Sequence, residues 1–128
     1  MTFFSQKILL ILTAVLILAG CLAGCDSKEV KMVKSGTISA CPNTTVDKMV
    51  SGFFGSPQWK TVDAGGGKKY VNASGDMTYM EKKVKGAIQF DVNAESGSFQ
   101  LRAFEINEVP QNQLMQMGLL QKMCESAK

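Results

Sequence analysis

The residues with the most distinctive chemistry in this sequence are its four cysteines, Cys21, Cys25, Cys41 and Cys124. The chain has no histidine, which excludes Ser-His-Asp and Cys-His catalytic sites and histidine-based metal centres. Two isolated cysteines do not complete a tetrahedral metal shell, so we expect no metal and no cofactor. Carboxylate pairs such as Asp76 with Glu81, or Glu105 with Glu108, are better explained as solvated surface charge. We therefore expect that the protein is not an enzyme.

A targeting segment occupies the N-terminus. Lys7 is the only charged residue before Asp26, and an apolar run from Ile8 to Ala19 lies between them. A short basic start, an apolar stretch and then small residues are typical of a secretory signal peptide. The run is shorter than the roughly 20 apolar residues of a membrane-spanning helix, although an uncleaved N-terminal anchor is the alternative.

The tetrapeptide Leu-Ala-Gly-Cys occurs twice in succession after this run, at residues 18–21 and 22–25. Both copies resemble the lipobox of bacterial lipoproteins, in which a peptidase cuts before a diacylated cysteine. The resemblance implies lipidation at Cys25, or alternatively at Cys21. It also implies that the lipid anchors the chain to the cell membrane and that the chain faces the periplasm. Asp26 after Cys25 is typical of lipoproteins kept in the inner membrane of enterobacteria-like cells, whereas cleavage before Cys21 predicts the outer membrane.

Lipidation also decides which cysteines can pair. If Cys25 carries the lipid and Cys21 leaves with the signal peptide, Cys41 and Cys124 remain. An even pair of cysteines in a small domain outside the cytoplasm predicts a disulfide. If Cys21 carries the lipid instead, Cys25 is an unpaired thiol, so this parity favours Cys25 as the lipidation site.

The 128-residue chain divides into a lipoprotein signal peptide at 1–24, a lipidated N-terminus with a short tether at 25–34, and a single domain at 35–128. The chain after residue 24 contains every basic residue except Lys7, which is one fewer than the 14 of the whole sequence. It also contains all 11 acidic residues, so the charges nearly balance. This balance does not indicate nucleic-acid binding. We expect the membrane and a protein of the cell envelope as partners.

The first predicted helix starts near Asn43 or Thr44, which can cap it. Its expected buried face follows the helical spacing i, i+3, i+4, i+7 and i+8, and comprises Val46, Met49, Val50, Phe53 and Phe54. Gly55 and Pro57 end it. Before it, we expect the tether to lead into a strand across residues 33–38.

Alternating apolar and polar residues from Trp59 to Asn107 predict three or four antiparallel strands with turns at 65–67, 81–83 and 94–98. Gly75 inside the second strand predicts a bulge or a break. A last helix after Pro110 is expected to bury one stripe, namely Leu114, Met117, Leu120 and Cys124. The predicted fold class is α+β, with a helix packed on the meander, a C-terminal helix and one disulfide. This order is similar to the cystatin-like arrangement.

Residues 105–113, EINEVPQNQ, form the most unusual local stretch. Its residues Asn107, Pro110, Gln111 and Asn112 form either an exposed recognition loop or the start of the last helix. Five lysines at positions 68, 69, 82, 83 and 85 suggest either a patch for anionic headgroups or a partner, or ordinary solubilising charge.

These features favour a membrane-anchored periplasmic lipoprotein that acts as a non-enzymatic protein-binding or envelope-complex accessory module. One alternative is an inhibitor or immunity-type lipoprotein that acts against a hydrolase or a toxin. Another is a small hydrophobic-ligand binder with a groove at Phe53, Phe54 and Trp59.

Overall fold

A computed structural model describes residues 26–127 of the chain. The predicted signal peptide at 1–24 and both candidate lipidation sites, Cys21 and Cys25, lie outside these residues. The elements, in chain order, are α1 Lys28–Ser35, α2 Val46–Phe53, β1 Gly55–Gly65, β2 Lys68–Tyr79, β3 Lys82–Asn93, β4 Ser98–Ile106, β5 Val109–Pro110 and α3 Gln113–Ser126. Within residues 26–127, no helix is long and apolar enough to cross a membrane.

The strands form one antiparallel five-stranded sheet in the order β1-β2-β3-β4-β5. The predicted α+β class and antiparallel meander are therefore confirmed, and β5 adds two residues at the β4 edge. Because side chains alternate along a strand, one face of the sheet is apolar. Its buried residues are Val71, Ala73, Met77, Ile88, Phe90, Val92, Phe104 and Ile106. Buried residues of all three helices belong to the same core.

Helix α2 forms where the sequence predicts a helix. Its N-cap is Thr45, whose side-chain oxygen accepts a hydrogen bond from the Lys48 backbone N–H. Val46, Met49 and Val50 are buried, as the spacing predicts. Phe54 follows the helix and is only 3% exposed, so the buried face continues past the last helical residue.

Residues 28–35 form α1, where the sequence analysis expects a tether that leads into a strand. That expectation is wrong. The side-chain oxygen of Ser27 accepts a hydrogen bond from the Val30 backbone N–H and caps the helix. Val30 and Val33 lie three positions apart and are both buried in the core. Tertiary packing of this short apolar face stabilises a helix that would be marginal in isolation.

Phe54 occupies a space that two paired glycines leave open, Gly75 of β2 and Gly86 of β3. A Cβ atom on Gly75 would lie 2.7 Å from the Phe54 Cβ and 2.8 Å from the Gly55 carbonyl oxygen. The β2–β3 register continues regularly through Gly75, so the predicted bulge is wrong for β2. The irregularity lies opposite, in β1, between Gly55 and Gln58. Gly75 is therefore required because any side chain at this position would collide with Phe54 and with the Gly55 backbone.

Cys41 and Cys124 form a disulfide, as predicted, with Cα atoms 5.8 Å apart. The bond joins the loop between α1 and α2 to the end of α3, across a sequence separation of 83 residues. On the chain-entropy treatment, closure of such a loop stabilises the fold by up to about 4.5 kcal/mol. The cystatin-like arrangement is not confirmed, because two helices precede the sheet and a third follows it.

The glycine contact gives a stability prediction. We expect Gly75→Ala to lower the free energy of unfolding by about 1–3 kcal/mol, because the new methyl group overpacks the site. The matched control is Gly118→Ala in α3, where nothing lies within 4 Å of the Cβ position. This control should raise stability by up to about 1 kcal/mol through helix propensity. Urea denaturation of both variants provides the measurement, and equal stabilities would contradict the contact.

Candidate interaction surface

Of the four residues expected to form a recognition loop, Asn107 lies in the β4–β5 turn and Pro110 lies in β5. Asn107 and Glu108 form this turn with φ angles of 50° and 67°. The Asn107 side-chain oxygen accepts a hydrogen bond from the Lys85 backbone N–H at 3.0 Å, and its own N–H donates to the Lys85 carbonyl at 2.8 Å. Pro110 pairs with Glu105 in the sheet. Asn107 therefore ties the exposed turn to β3.

The other two residues, Gln111 and Asn112, organise the entry to α3. Gln111 donates from its backbone N–H to the Phe104 carbonyl and from its side-chain amide to the Val109 carbonyl, both at 2.8 Å. The Asn112 side-chain oxygen accepts from the Met115 backbone N–H at 2.9 Å and caps the helix. These side chains hold the protein's own backbone, and recognition of a partner through them stays a prediction.

Helix α3 buries a different face from the one its spacing predicts. Leu114 is 81% exposed and Met117 is 63% exposed, so the predicted stripe is wrong at these two positions. The buried residues are Leu119, Leu120 and Met123. The physical reason lies at the C-terminal half of the helix, which is held by the disulfide. This half also approaches α2 so closely that a Cβ atom on Gly52 would collide with the Ser126 backbone. Apolar residues of that half are buried. In the first turns Met115 is partly buried against the core, whereas Leu114 and Met117 are left uncovered.

Leu114 and Met117 therefore form an exposed apolar surface. They lie one turn apart on the same side of α3, and Gly118 beside them borders open space. Val109 of β5 precedes them in the chain and is 59% exposed. We call the three helical residues, Leu114, Met117 and Gly118, the α3 apolar surface.

The chain around the α3 apolar surface carries no charge. Residues 109–121 contain no Asp, Glu, Lys or Arg, although charged residues make up 20% of the sequence. Gln113 and Gln121 are exposed in the same stretch. Depletion of charge around large apolar side chains, with polar side chains nearby, is typical of the centre of a protein–protein interface.

The uncovered face of the sheet is polar instead. The Arg102 guanidinium donates to the Gln89 side-chain oxygen at 2.5 Å, and the Gln89 amide donates to the Asn72 side-chain oxygen at 2.8 Å. The same guanidinium lies 4.4 Å from the centre of the Tyr70 ring. These side chains bond to one another, as expected for a solvated sheet face.

Asp76 illustrates the electrostatics of this polar face. Its carboxylate forms an ion pair with Lys85 at 2.6 Å. The hydrogen bond and the positive charge of Lys85 lower the pKa of Asp76. A general acid at neutral pH needs a raised pKa, so Lys85 shifts the pKa of Asp76 in the direction opposite to that of a general acid.

The five lysines do not form one patch. Lys68 and Lys69 begin β2, whereas Lys82 and Lys83 follow its far end. A strand of 12 residues places these two groups about 35 Å apart. Within residues 26–127, no group of three or more Cys, Asp or Glu side chains is arranged to hold a metal ion.

The side chains predicted to line a groove near Trp59 contact other side chains of the protein. Phe54 is buried against the rings of Phe53 and Phe104, and the Lys34 ammonium lies 5.4 Å from the centre of the Trp59 ring. A cleft of about 610 Å³ lies elsewhere, between the β1–β2 turn and the β3–β4 loop. Its lining carries charges of both signs, Lys68, Asp91 and Glu95, which select no single ligand class.

Comparison of the chain with protein-family models, with curated proteins and with solved structures finds no match. The candidate surface is therefore defined by geometry alone. Two signals in the sequence could have identified it. One is the uncharged run at 109–121, and the other is the competing buried stripe of Leu119, Leu120 and Met123.

A matched pair of leucine variants tests the orientation of α3. Leu120 is 7% exposed, so Leu120→Ala should cost about 2–5 kcal/mol of unfolding free energy. Leu114→Ala makes the same chemical change on the exposed side and should stay within about 0.5 kcal/mol of wild type. Thermal and urea unfolding of both proteins give the comparison. A larger loss for Leu114→Ala than for Leu120→Ala would mean that the helix is rotated.

Proposed function

We propose that the protein is a bacterial lipoprotein that Cys25 anchors to the cell membrane, and that it acts in the envelope as a non-enzymatic protein-binding or complex accessory module. The α3 apolar surface is its docking site. The single observation that carries the binding part of the proposal is the exposure of Leu114 and Met117 in a stretch without charge.

The anchoring part is supported by the sequence before the described residues. The doubled Leu-Ala-Gly-Cys motif follows an apolar run and ends directly before Asp26. The disulfide of Cys41 with Cys124 agrees with an oxidising compartment such as the periplasm. Asp26 after Cys25 favours the inner membrane, with the outer membrane as the alternative if Cys21 is the acylated residue.

The binding part is supported by the rigidity of the surface. The Asn112 cap, the Gln111 hydrogen bonds and the disulfide fix the α3 backbone at both ends. A partner that buries Leu114 and Met117 therefore orders little additional chain, which lowers the entropy cost of binding. Methionine is among the residue types enriched at interfaces, and Met117 is held here in a fixed position.

The anchor is tested by the intact mass of the N-terminal peptide from protein extracted with detergent from membranes. We expect a triacylated peptide that begins at Cys25, with Cys41 and Cys124 protected from alkylation until a reductant is added. In a Cys25→Ser variant this peptide should disappear. A peptide that begins at Cys21 would move the search to the outer membrane, and an unmodified N-terminus would contradict the anchor.

The docking site is tested by photo-crosslinking in intact cells. A benzophenone amino acid at Met117 should give a crosslinked protein adduct, because this position lies within the proposed interface. The control places the same amino acid at Gln100, which is exposed on β4 away from α3. We expect no matching adduct there.

A variant that places a charge in the α3 apolar surface distinguishes docking from chance proximity. Leu114→Asp introduces a charge into the apolar surface, and we expect it to reduce the Met117 adduct by about tenfold or more, since a desolvated charge is costly at an interface centre. An adduct that persists unchanged would rule out the surface. A captured hydrolase that loses activity on binding would identify the protein as an inhibitor.

A further inference from the structure

The chain is held to the folded domain immediately after the proposed lipidation site. The Ser27 hydroxyl caps α1 and bonds to the Thr61 hydroxyl of β1 at 2.5 Å. The Asp26 carboxylate forms an ion pair with the Lys34 ammonium at 2.6 Å. The domain therefore has no flexible linker between residue 26 and α1.

This arrangement places α1 close to any lipid carried by Cys25. Lys28 is three positions after Cys25, and an extended chain of that length spans at most about 11 Å. Acyl chains on Cys25 would enter the bilayer at that distance from the first turn of α1. The helix is then within reach of the headgroup region, and its own charge decides how closely it approaches.

The outer face of α1 has the charge that such a position needs. Val30 and Val33 face the core, and the exposed positions on the helix are Lys28, Lys31 and Ser35. The ion pairs formed within residues 26–127 use Lys34, Lys69 and Lys85. The ammonium groups of Lys28 and Lys31 are thus available to an external anion.

We propose that the outer face of α1, through Lys28 and Lys31, contacts anionic phospholipid headgroups and fixes the orientation of the domain on the membrane. The inference rests on the proposed lipid anchor at Cys25. Lysines beside an anchor are attracted to an anionic membrane surface, and the attraction extends about one Debye length. On a neutral bilayer the anchor still holds the domain, but this attraction is absent.

The membrane-facing surface and the α3 apolar surface are separate. The start of helix α1 contacts the sheet at Thr61 of β1. The cross-strand partners level with Thr61 are Val71 of β2, Phe90 of β3 and Leu101 of β4. The β4–β5 turn that leads to α3 begins after Ile106, about 17 Å further along β4. Loss of one contact therefore need not affect the other.

Lysine acetylation measured by mass spectrometry tests the proposal on the unaltered lipidated protein. The protein is reconstituted into vesicles of phosphatidylglycerol with phosphatidylcholine, and separately into vesicles of phosphatidylcholine alone. We expect acetylation of Lys28 and Lys31 to be about fivefold slower in the anionic vesicles. Lys82 and Lys83 at the β2–β3 turn serve as internal controls and should react equally in both.

Salt provides the second arm of this experiment. At about 1 M salt the Debye length falls to about 3 Å, so the protection of Lys28 and Lys31 should be lost while the protein stays on the vesicles. Equal reactivity of these lysines in anionic and neutral vesicles would overturn the proposal. Protein that fails to float with neutral vesicles lacks the anchor, which is a failure of the proposed function and is seen separately.

A charge-removal variant tests the role of the two side chains. A dye on Ser35→Cys reports the outer face of α1 through quenching by headgroup-labelled lipid in anionic vesicles. Lys28→Gln with Lys31→Gln should reduce this quenching severalfold, because the attraction is removed. The matched variant, Lys82→Gln with Lys83→Gln, removes the same charge elsewhere and should leave it unchanged. Quenching that is equal in both variants would contradict the contact.

Discussion

The position of α2 on the sheet is the constraint on which the other helices depend. Phe54, at the end of α2, fits over Gly75 and Gly86, where any side chain would collide with it. Phe53 and Phe104 pack around this contact. Both α1 and α3 pack on α2. An aromatic ring seated on two glycines therefore determines where the N-terminal end of the domain and the uncovered face of α3 are placed.

The way α3 is held explains why part of it stays uncovered. Its C-terminal half is fixed by the Cys124 disulfide and by close approach to Gly52. Its N-terminal half is fixed by hydrogen bonds to backbone, which order the helix without covering Leu114 and Met117. Each exposed large apolar side chain forgoes about 1.5–3 kcal/mol of burial. Two such residues, Leu114 and Met117, lie together in an uncharged stretch, which is the reason for proposing that another molecule covers them.

Local signals were sufficient for much of the fold. The buried face of α2, the alternation of the strands and the pairing of Cys41 with Cys124 each depend on residues close in sequence or on simple counting, and the structure confirms them. Helix α1 was missed because its cap and its pair Val30 and Val33 span too few residues to separate a helix from a strand by periodicity. The orientation of α3 was missed because two apolar stripes compete in QLMQMGLLQKMC, and contacts at its C-terminal half decide between them. The candidate surface follows from that orientation. The sequence contains the uncharged run and both apolar stripes, but it does not decide which stripe is exposed.

A lipid anchor at Cys25 would change what a small apolar surface can do. Stable complexes in solution bury about 800 Å² on each partner, which is more than a few side chains on one helix provide. Two partners confined to one membrane meet at a raised effective concentration, so a weak contact becomes populated. The hydrogen bond of Ser27 with Thr61 and the ion pair of Asp26 with Lys34 would also restrict the orientation of the domain, which reduces the freedom lost on docking. A linker-free anchor and a small rigid surface are therefore complementary, because the first supplies the preorganisation that the second requires.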